Sequence, residues 1–190
     1  MGKNISIVIP IHDTPDGAGF LWRCINSIMR QTYKDYEIII TKEGKTSENT
    51  NAGIMRAKGD IIKFMHMDDY FANEYVLQDL VDEWDKDTKW VVMGSDNNIK
   101  PYWTDDIMAG NNKIGAPSAI AIINKQPPLY NEDLVWMLDC DYYRKLHVRY
   151  GKPKIMAGKY INIGIHSEQA TNKIPDDVKL KEVTNSKKYV

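Results

Sequence analysis

The sequence predicts an α/β fold in which a mostly parallel central sheet is flanked by helices. Two patterns support this prediction. Short, continuous apolar runs rich in β-branched residues are typical of strands buried on both faces of a sheet. These runs alternate with segments in which apolar residues recur at the spacing of one helix face. At 190 residues, 43% of them hydrophobic and 27% charged, the chain can form one domain with a sizeable core, and two full domains are not expected.

Strands and helices alternate in the N-terminal half of the chain. Four strands are predicted, at residues 5–10, 35–41, 61–65 and 89–94. Three helices are predicted between them, at residues 20–29, 51–60 and 72–84. The first strand, ISIVIP, ends at Pro10, and the second helix stops at Gly59, as a short helix does. This alternation implies parallel pairing with right-handed crossovers, and therefore a Rossmann-like arrangement.

The pattern changes after residue 95. A loop-rich stretch comes first, followed by a strand-like segment at residues 118–123. Residues 131–151 are mostly helical, and residues 154–166 alternate in a way typical of a strand or hairpin. The last twenty residues, 171–190, are polar and rich in lysine, which is compatible with a surface helix or a loose tail. We therefore predict one domain over residues 1–170, followed by this polar segment.

Charge, hydropathy and cysteine content exclude several classes of protein. The formal net charge of −1 argues against a nucleic-acid-binding protein. No apolar run approaches the roughly 20 residues that span a bilayer, and the N-terminus lacks the layout of a signal peptide. The C-terminal lysines leave attraction to a membrane surface open. Cys24 and Cys140 lie far apart in helix-like segments, which predicts buried thiols in a reducing compartment and hence a cytoplasmic location.

Polar residues follow three of the predicted strands. Ligands of open parallel sheets bind beyond the carboxyl ends of the strands, which here read PIHD at 10–13, TKEG at 41–44 and HMDD at 66–69. Neither GxGxxG nor the P-loop motif occurs, so a phosphate group would have to be met by a cation. The Asp68 carboxylate is well placed to hold one, because oxygen ligands suit magnesium or manganese.

Several segments together resemble a known enzyme family. SIVIPIHDT, QTYKDYEIII and NAGIMRAKGDIIKFMHMDDYF are followed by GAPSAI, NEDLVWMLDCDYYRKL and GIHSEQAT. Over residues 4–171 the sequence is similar to the family-two glycosyltransferases of the GT-A fold. The resemblance implies an inverting transfer of a sugar from a UDP- or GDP-sugar to a hydroxyl of a glycan or other acceptor. It also implies a divalent metal ion, manganese or magnesium, that bridges the diphosphate.

The resemblance assigns roles to individual residues. Donor contacts would come from Pro10, Ile11, His12, Asp13, Glu43, Asn51, His66 and Gly115. Asp68 corresponds to the metal-binding carboxylate of the family's DxD motif, and His166 to a C-terminal histidine that completes the metal site. Asp139 corresponds to the general base. The sequence departs from the family where His66 replaces the first aspartate of DxD and where TKEGK replaces the usual VDDGS.

Each of these residues also has a structural interpretation. Asp68 could cap the following helix, and this interpretation is the stronger one for its neighbour Asp69, because only one of two adjacent side chains can point inward. His66 could be a hydrogen-bonded structural histidine, and His166 a loop histidine bonded to backbone.

Asp139 competes with two other acids for the role of base. Apolar neighbours would desolvate the Asp139 carboxylate and make it a better base than in water. Asp133 is typical of an acid at a helix start, and Asp141 would point off the opposite face.

Two other functions fit parts of the sequence. A non-catalytic GT-A module that binds nucleotide or glycan is the alternative, because of the departures at His66 and Lys42 and the Thr50 that replaces an arginine. A metal-dependent nucleotidyltransferase is less compatible, because IHDTPDG is not a glycine- and arginine-rich phosphate loop.

Overall fold

The computed structural model describes residues 3–167 and 169–186. These residues form one sheet of seven strands with helices on both faces. The strands are β1 Ile5–Pro10, β2 Tyr36–Thr41, β3 Ile61–Phe64, β4 Tyr70–Phe71, β5 Trp90–Ser95, β6 Ile120–Ile123 and β7 Lys154–Asn162. The helices are α1 Gly17–Met29, α2 Thr46–Arg56, α3 Val76–Glu83, α4 Leu138–Tyr150, α5 Ala170–Lys173 and α6 Asp176–Ser186.

The strand order is β2-β1-β3-β6-β5-β7-β4. β1 pairs in parallel with β2 and β3, and β5 pairs in parallel with β7. β6 runs antiparallel to both of its neighbours, β3 and β5, and the short β4 runs antiparallel to β7. Five strands (β2, β1, β3, β5 and β7) therefore point in one direction, which confirms the predicted fold class.

Apolar side chains of β1 and β3 alternate between the two faces of the sheet and form a core on each. On one face Ile7 and Met65 belong to a cluster with residues of α1 and α3. On the other face Val8 and Phe64 belong to a cluster with residues of α2 and α4. Because the central strands are covered on both sides, their backbone groups are paired within the sheet, and only the strand ends are open to ligands.

The helices differ from the predicted ones mainly at their N-termini. α2 begins at Thr46, five residues before the predicted start at residue 51. Residues 72–84 form a helix only from Val76, preceded by the short strand β4. α4 begins at Leu138, and residues 131–137 form a turn before it. Asp139 is thus the second residue of α4, a position at which the helix dipole favours a negative charge.

The C-terminal segment adds a helix, α6, to the α4 side of the sheet. The Ser186 hydroxyl donates to the Met108 carbonyl (2.6 Å), and Glu182 is buried. Across residues 3–167 and 169–186, no helix combines the length and apolar character needed to cross a membrane. Cys24 and Cys140 are both buried and unpaired, as predicted, and burial raises the pKa of each thiol to about 12.

Candidate active site

A cavity of about 420 Å³ opens at the carboxyl ends of β1, β2 and β3. Its size is in the range that accommodates a small-molecule ligand. One wall carries polar groups, at His12, Lys45, Thr46, Asn49, His66, Asp68, Asp69 and His166. A second wall is formed by Val135, Trp136, Leu138 and Asp139, and Ala116, Pro117 and Ile174 also line the cavity. The cavity thus has the polar edge that parallel sheets present to ligands, faced by a largely apolar wall with one carboxylate.

The acidic wall, defined as His66, Asp68, Asp69 and His166, lies at the end of β3. His66, Asp68 and Asp69 each offer one ligand atom, and these three atoms lie within 4.8 Å of one another. His166 Nε2 lies 3.0 Å from Asp68 Oδ2. Carboxylate oxygens with imidazole nitrogens form a donor set that suits manganese or zinc better than magnesium, which prefers oxygen alone. The residues therefore fit a divalent metal ion.

Neighbouring helices and strands hold Asp68 and His166 in place. Arg23 of α1 donates from Nη2 to the Asp68 carbonyl (2.7 Å), and the Phe20 ring lies 4.7 Å from the His166 ring, centroid to centroid. Gly164, after β7, passes so close that a Cβ there would meet the Asp68 carbonyl oxygen at 2.4 Å. The chain at this point therefore requires glycine, and the close approach brings His166 to Asp68 across 98 residues of sequence.

Asp69 lies in the cavity wall, and the prediction that it caps the following helix is wrong. Its exposure is 3%, and its Oδ1 accepts a hydrogen bond from the Gly164 amide at 2.8 Å. Burial raises the pKa of the Asp69 carboxyl, and the Asp68 charge adds to this, whereas His66 and the hydrogen bonds from Ser118 and Gly164 oppose it. α3 begins seven residues later, at Val76, so its N-terminus is out of reach.

A buried lysine lies beneath this acidic wall. Lys63 is fully buried, and its ammonium group donates to the carbonyls of Phe64 and Ser118. Burial lowers the pKa of Lys63 to about 7, while the nearby Asp69 charge opposes the shift. Since Ser118 also accepts from the His66 amide (2.8 Å), Lys63 and Ser118 together tie the end of β3 to the turn that precedes β6.

Asp139 lines the same cavity from the start of α4. Its Oδ1 is buried and has no hydrogen-bond partner among the described residues. Burial raises the pKa of Asp139 to about 6, and the charge of His66 opposes the rise. A carboxylate with a free lone pair and a pKa near neutrality can accept a proton from a hydroxyl group placed in the cavity.

The two competing acids do not share this environment. Asp133 is exposed in the turn before α4. Asp141 is buried, but its carboxylate pairs with Arg144 (3.3 Å) and Lys145 (2.8 Å) on another face of α4. Of the three carboxylates, only that of Asp139 lines the cavity.

The ends of β1 and β2 meet around Asn49. The Asn49 side chain donates to the Ile11 carbonyl (2.8 Å) and accepts from the Glu43 amide (3.0 Å), so one buried amide joins both loops. Pro10 and His12 line the cavity beside it. Lys45 and Thr46, at the N-terminus of α2, also line the cavity, and free N–H groups at a helix start favour an anion there.

Five predicted donor residues lie outside the cavity lining. Ile11 contributes its backbone to the bonds just described. Asp13 is 90% exposed and pairs with Lys42 at 2.7 Å, and Glu43 pairs with Arg56.

The other two of these five residues, Asn51 and Gly115, form hydrogen bonds with distant parts of the chain. Asn51 is buried, donates to the Tyr130 carbonyl (3.1 Å) and Glu132 (2.9 Å), and accepts from the Tyr130 amide. Gly115 has φ +105°, a conformation that favours glycine, and its carbonyl accepts from the Tyr143 hydroxyl (3.0 Å). The next two residues, Ala116 and Pro117, reach the cavity.

Several cavity residues were not identified from the sequence. Asn49, Lys45 and Trp136 line the cavity, and Gln169 joins it from the C-terminal segment. The clearest missed signal is Asn49, a polar residue just after the second strand-end segment. Trp136 and Gln169 carry no pattern that separates them from ordinary helix or loop residues.

The sequence profile of glycosyl transferase family 2 matches residues 6–50 and 42–130 of this chain. Together the two matches cover well over half of the chain. They include the ends of β1, β2 and β3, which carry the polar residues of the cavity.

Curated relatives match shorter segments. An uncharacterized glycosyltransferase of Rickettsia bellii is 32% identical over 62 residues, which are 33% of this chain and 9% of the relative. Glycosyltransferase GlyA of Streptococcus pneumoniae is 25% identical over 99 residues, covering 38% of this chain and 14% of GlyA. The matched segments are thus a small part of these longer proteins.

Solved structures share the fold over nearly the whole chain. Residues 1–349 of S. aureus TarS, in complex with UDP-GlcNAc, give a TM-score of 0.71 at 13% identity, with 90% of this chain and 61% of that chain covered. The mannosyltransferase PcManGT of Pyrobaculum calidifontis, in complex with GDP-Man and Mn²⁺, gives a TM-score of 0.66 at 10% identity, with 90% and 59% covered. At these identities the likeness establishes the fold.

Proposed function

The chain belongs to glycosyl transferase family 2, and we propose that it transfers a sugar from a nucleoside-diphosphate sugar to an acceptor hydroxyl with inversion at the anomeric carbon. One observation supports the proposal most strongly. The Asp139 carboxylate, whose buried Oδ1 has no hydrogen-bond partner among the described residues, lines the same cavity of about 420 Å³ as two aspartates and two histidines. This arrangement combines a proton acceptor with a site for a charged leaving group.

The acidic wall would hold a divalent cation. Asp68 and Asp69 supply oxygens, and His66 and His166 supply nitrogens, so we favour manganese over magnesium. When bound, such a cation offsets the negative charge that develops on the leaving diphosphate. His66 then takes the place of the acid that the family's DxD motif usually has first.

Asp139 would act as the general base. An acceptor hydroxyl in the cavity gives its proton to the Asp139 carboxylate while its oxygen bonds to the anomeric carbon of the donor. The bond from that carbon to the diphosphate oxygen breaks on the opposite face, and the nucleoside diphosphate leaves with the electron pair. A base with a pKa of about 6 is ionised at neutral pH and still basic enough to take the proton.

The nucleotide would lie along the ends of β1 and β2. Pro10 and His12 line the cavity there, and Lys45 at the start of α2 meets negative charge. TarS and PcManGT are described in complex with UDP-GlcNAc and with GDP-Man and Mn²⁺, which supports a UDP- or GDP-sugar as donor. The acceptor is a glycan or another hydroxyl compound. The two unpaired cysteines are consistent with a cytoplasmic protein.

A donor screen tests this function. The protein is incubated with a panel of UDP- and GDP-sugars, Mn²⁺ and simple glycoside acceptors, and the released nucleoside diphosphate is measured. We expect release with one donor, loss of release in Asp68→Asn, and a product whose anomeric proton shows inversion by NMR. Tight nucleotide binding without turnover would instead support a non-catalytic module. Pyrophosphate release from a sugar phosphate and a nucleoside triphosphate would support a nucleotidyltransferase.

The role of Asp139 is tested with a matched pair of variants. Asp139→Asn is expected to slow transfer by about 10²–10⁴-fold while donor binding is retained, because only the proton acceptor is lost. Asp133→Asn removes an equivalent carboxylate from the exposed turn just before α4, and we expect it to leave the rate unchanged. If Asp133→Asn abolishes transfer and Asp139→Asn does not, the assignment of the base is wrong.

A further inference from the structure

Backbone amides of the turn before α4 donate hydrogen bonds to a side chain of α6, a helix that is distant in the sequence. The Glu182 carboxylate of α6 accepts from three consecutive backbone amides: Val135 N at 2.8 Å, Trp136 N at 2.9 Å and Met137 N at 2.8 Å. Glu182 itself is 8% exposed. A buried carboxylate is costly unless it is fully hydrogen-bonded, and here three amides satisfy it.

These three amides lie in the turn that leads into α4, and the last of them belongs to its N-cap residue. The N-cap residue, Met137, has a side chain that makes no capping hydrogen bond. The first amides of a helix have no partner within the helix, and a negative charge beside them is favourable. Glu182 accepts from the amides just before the helix and places a negative charge at this helix start, from a position 45 residues away from Met137.

The same short segment forms the wall of the cavity that carries the base. Val135, Trp136, Leu138 and Asp139 all line the cavity. Asp139 is two residues beyond the last amide that Glu182 binds. The position of the Asp139 carboxylate is therefore coupled through the backbone to Glu182, which does not line the cavity itself.

We propose that Glu182 is a positioning residue for the general base, so that α6 is part of the architecture of the active site. This inference rests on the proposed function. Glu182 fixes the backbone of residues 135–137 and thereby the direction in which Asp139 projects from α4. The proposed donor contacts lie in the acidic wall and at the ends of β1 and β2, whereas the hydrogen bonds of Glu182 go to residues 135–137, so we expect the loss of Glu182 to act on the chemical step and not on donor binding.

Ser186 provides a matched control on the same helix. Its hydroxyl bonds the Met108 carbonyl at 2.6 Å, so it also docks α6, but among the described residues its hydrogen bonds do not go to the turn before α4. If α6 acts only as a structural support, removing either contact has the same kind of effect. If Glu182 positions the base, only the Glu182 variants change the rate constant of the folded enzyme.

The kinetic test compares Glu182→Ala, Glu182→Gln and Ser186→Ala. For Glu182→Ala we expect kcat to fall by about 10²-fold with the donor KM unchanged, because small misplacements of a reacting group cost this much. Glu182→Gln keeps one side-chain oxygen for Trp136 and Met137 and is expected to recover most of the rate. Ser186→Ala is expected to keep the wild-type kcat. Equal losses of kcat in Ser186→Ala and Glu182→Ala, or a raised donor KM in Glu182→Ala, would overturn the proposal.

Amide hydrogen exchange provides a readout that does not depend on transfer. In Glu182→Ala we expect faster exchange at Val135, Trp136 and Met137, with the amides of β1 unchanged. Unchanged exchange at these three amides contradicts the positioning role. If the wild-type protein transfers no sugar, the proposed function fails, whereas the exchange result still decides whether Glu182 holds the turn.

Discussion

The acidic wall of the cavity is built from strand ends, whereas the wall that carries Asp139 is built from a turn and the start of a helix. Asp68 and Asp69 lie in the loop that follows β3, where Arg23 bonds the Asp68 carbonyl and the Gly164 amide bonds Asp69. Asp139 follows a seven-residue turn, residues 131–137, and the last three amides of this turn donate to Glu182 of α6.

This difference separates two ways of positioning a carboxylate. The acidic wall is held by several separate contacts, from Arg23 to the Asp68 carbonyl, from the His66 amide to Ser118 and from the Gly164 amide to Asp69, so that the loss of one leaves the others in place. The wall that carries Asp139 depends on a few long-range side-chain contacts. We therefore expect ligand binding to be sensitive to the residues that form the acidic wall, and the chemical step to be sensitive also to distant ones.

The largest expected effect is on metal affinity. Asp68→Asn and Asp69→Asn each remove a charged oxygen ligand, and we expect Mn²⁺ affinity, measured by EPR titration with UDP present, to fall by on the order of 10²-fold or more. Asp139→Asn removes a carboxylate from the opposite wall and is expected to leave Mn²⁺ affinity unchanged. An equal loss in Asp139→Asn would mean that the two walls are not functionally separate.

The next effect concerns stability, and here Asp139→Asn is expected to stabilise the protein. The folded-state pKa of Asp139 is raised from 3.8 to about 6, so the folded state holds a proton that the unfolded state releases between these values. Stability is therefore lost as pH rises from about 4 to about 6 and stays constant above that. The shift corresponds to roughly 2 kcal/mol after allowance for partial exposure.

Urea unfolding in the presence of a chelator measures this effect. At about pH 7 Asp139→Asn is expected to exceed the wild type by roughly 2 kcal/mol in the free energy of unfolding, and at about pH 4 the difference disappears. Asp133→Asn, which changes an exposed carboxylate in the turn, is the control and is expected to show no gain. A gain for Asp139→Asn that does not depend on pH would contradict the buried-carboxylate explanation.

The strand-end half of the site could be predicted from the sequence. Polar residues directly after buried strands converge at one edge of a parallel sheet, and this places Pro10, His12 and Asp68 together. The resemblance to the family added His166 and Asp139, and the structure brings both to the same cavity. The placement of Pro10, His12 and Asp68 follows from strand direction, which apolar runs indicate well, whereas the roles of these residues stay predictions.

The orientation of side chains within the site was harder to predict from the sequence. Whether Asp68 or Asp69 points inward depends on Gly164 and Ser118, which lie far along the chain and bond to Asp69 only after β6 and β7 have paired. The role of Glu182 was also missed. Its partners are backbone amides, which no side-chain pattern marks, and it lies in a segment that the composition predicts only as polar.

A smaller effect tests how tightly the strand-end half is packed. Gly53 in α2 lies against β1, and a Cβ there would meet Val8 Cγ1 at 2.2 Å. Gly53→Ala is expected to lower the free energy of unfolding by about 1–2 kcal/mol, since overpacking outweighs the gain in helix propensity. Gly19, in α1, has nothing within 4 Å of its Cβ position, so Gly19→Ala is expected to stabilise by about 0.5–1 kcal/mol. Stabilisation by both variants would mean that α2 moves freely on β1.

The smallest expected effect is a difference in nucleotide binding between variants of two adjacent residues at the end of β1. His12 lines the cavity, whereas Asp13 is 90% exposed and pairs with Lys42, itself 56% exposed. Exposed ion pairs contribute little to stability, so Asp13→Ala is expected to leave the melting temperature unchanged. We expect His12→Ala to weaken UDP or GDP binding, measured by calorimetry, and Asp13→Ala to leave it near the wild-type value. If Asp13→Ala weakens binding as much as His12→Ala, the loop after β1 turns Asp13 towards the nucleotide on binding. The strand-end side of the site, which includes the acidic wall, would then be less rigid than we infer.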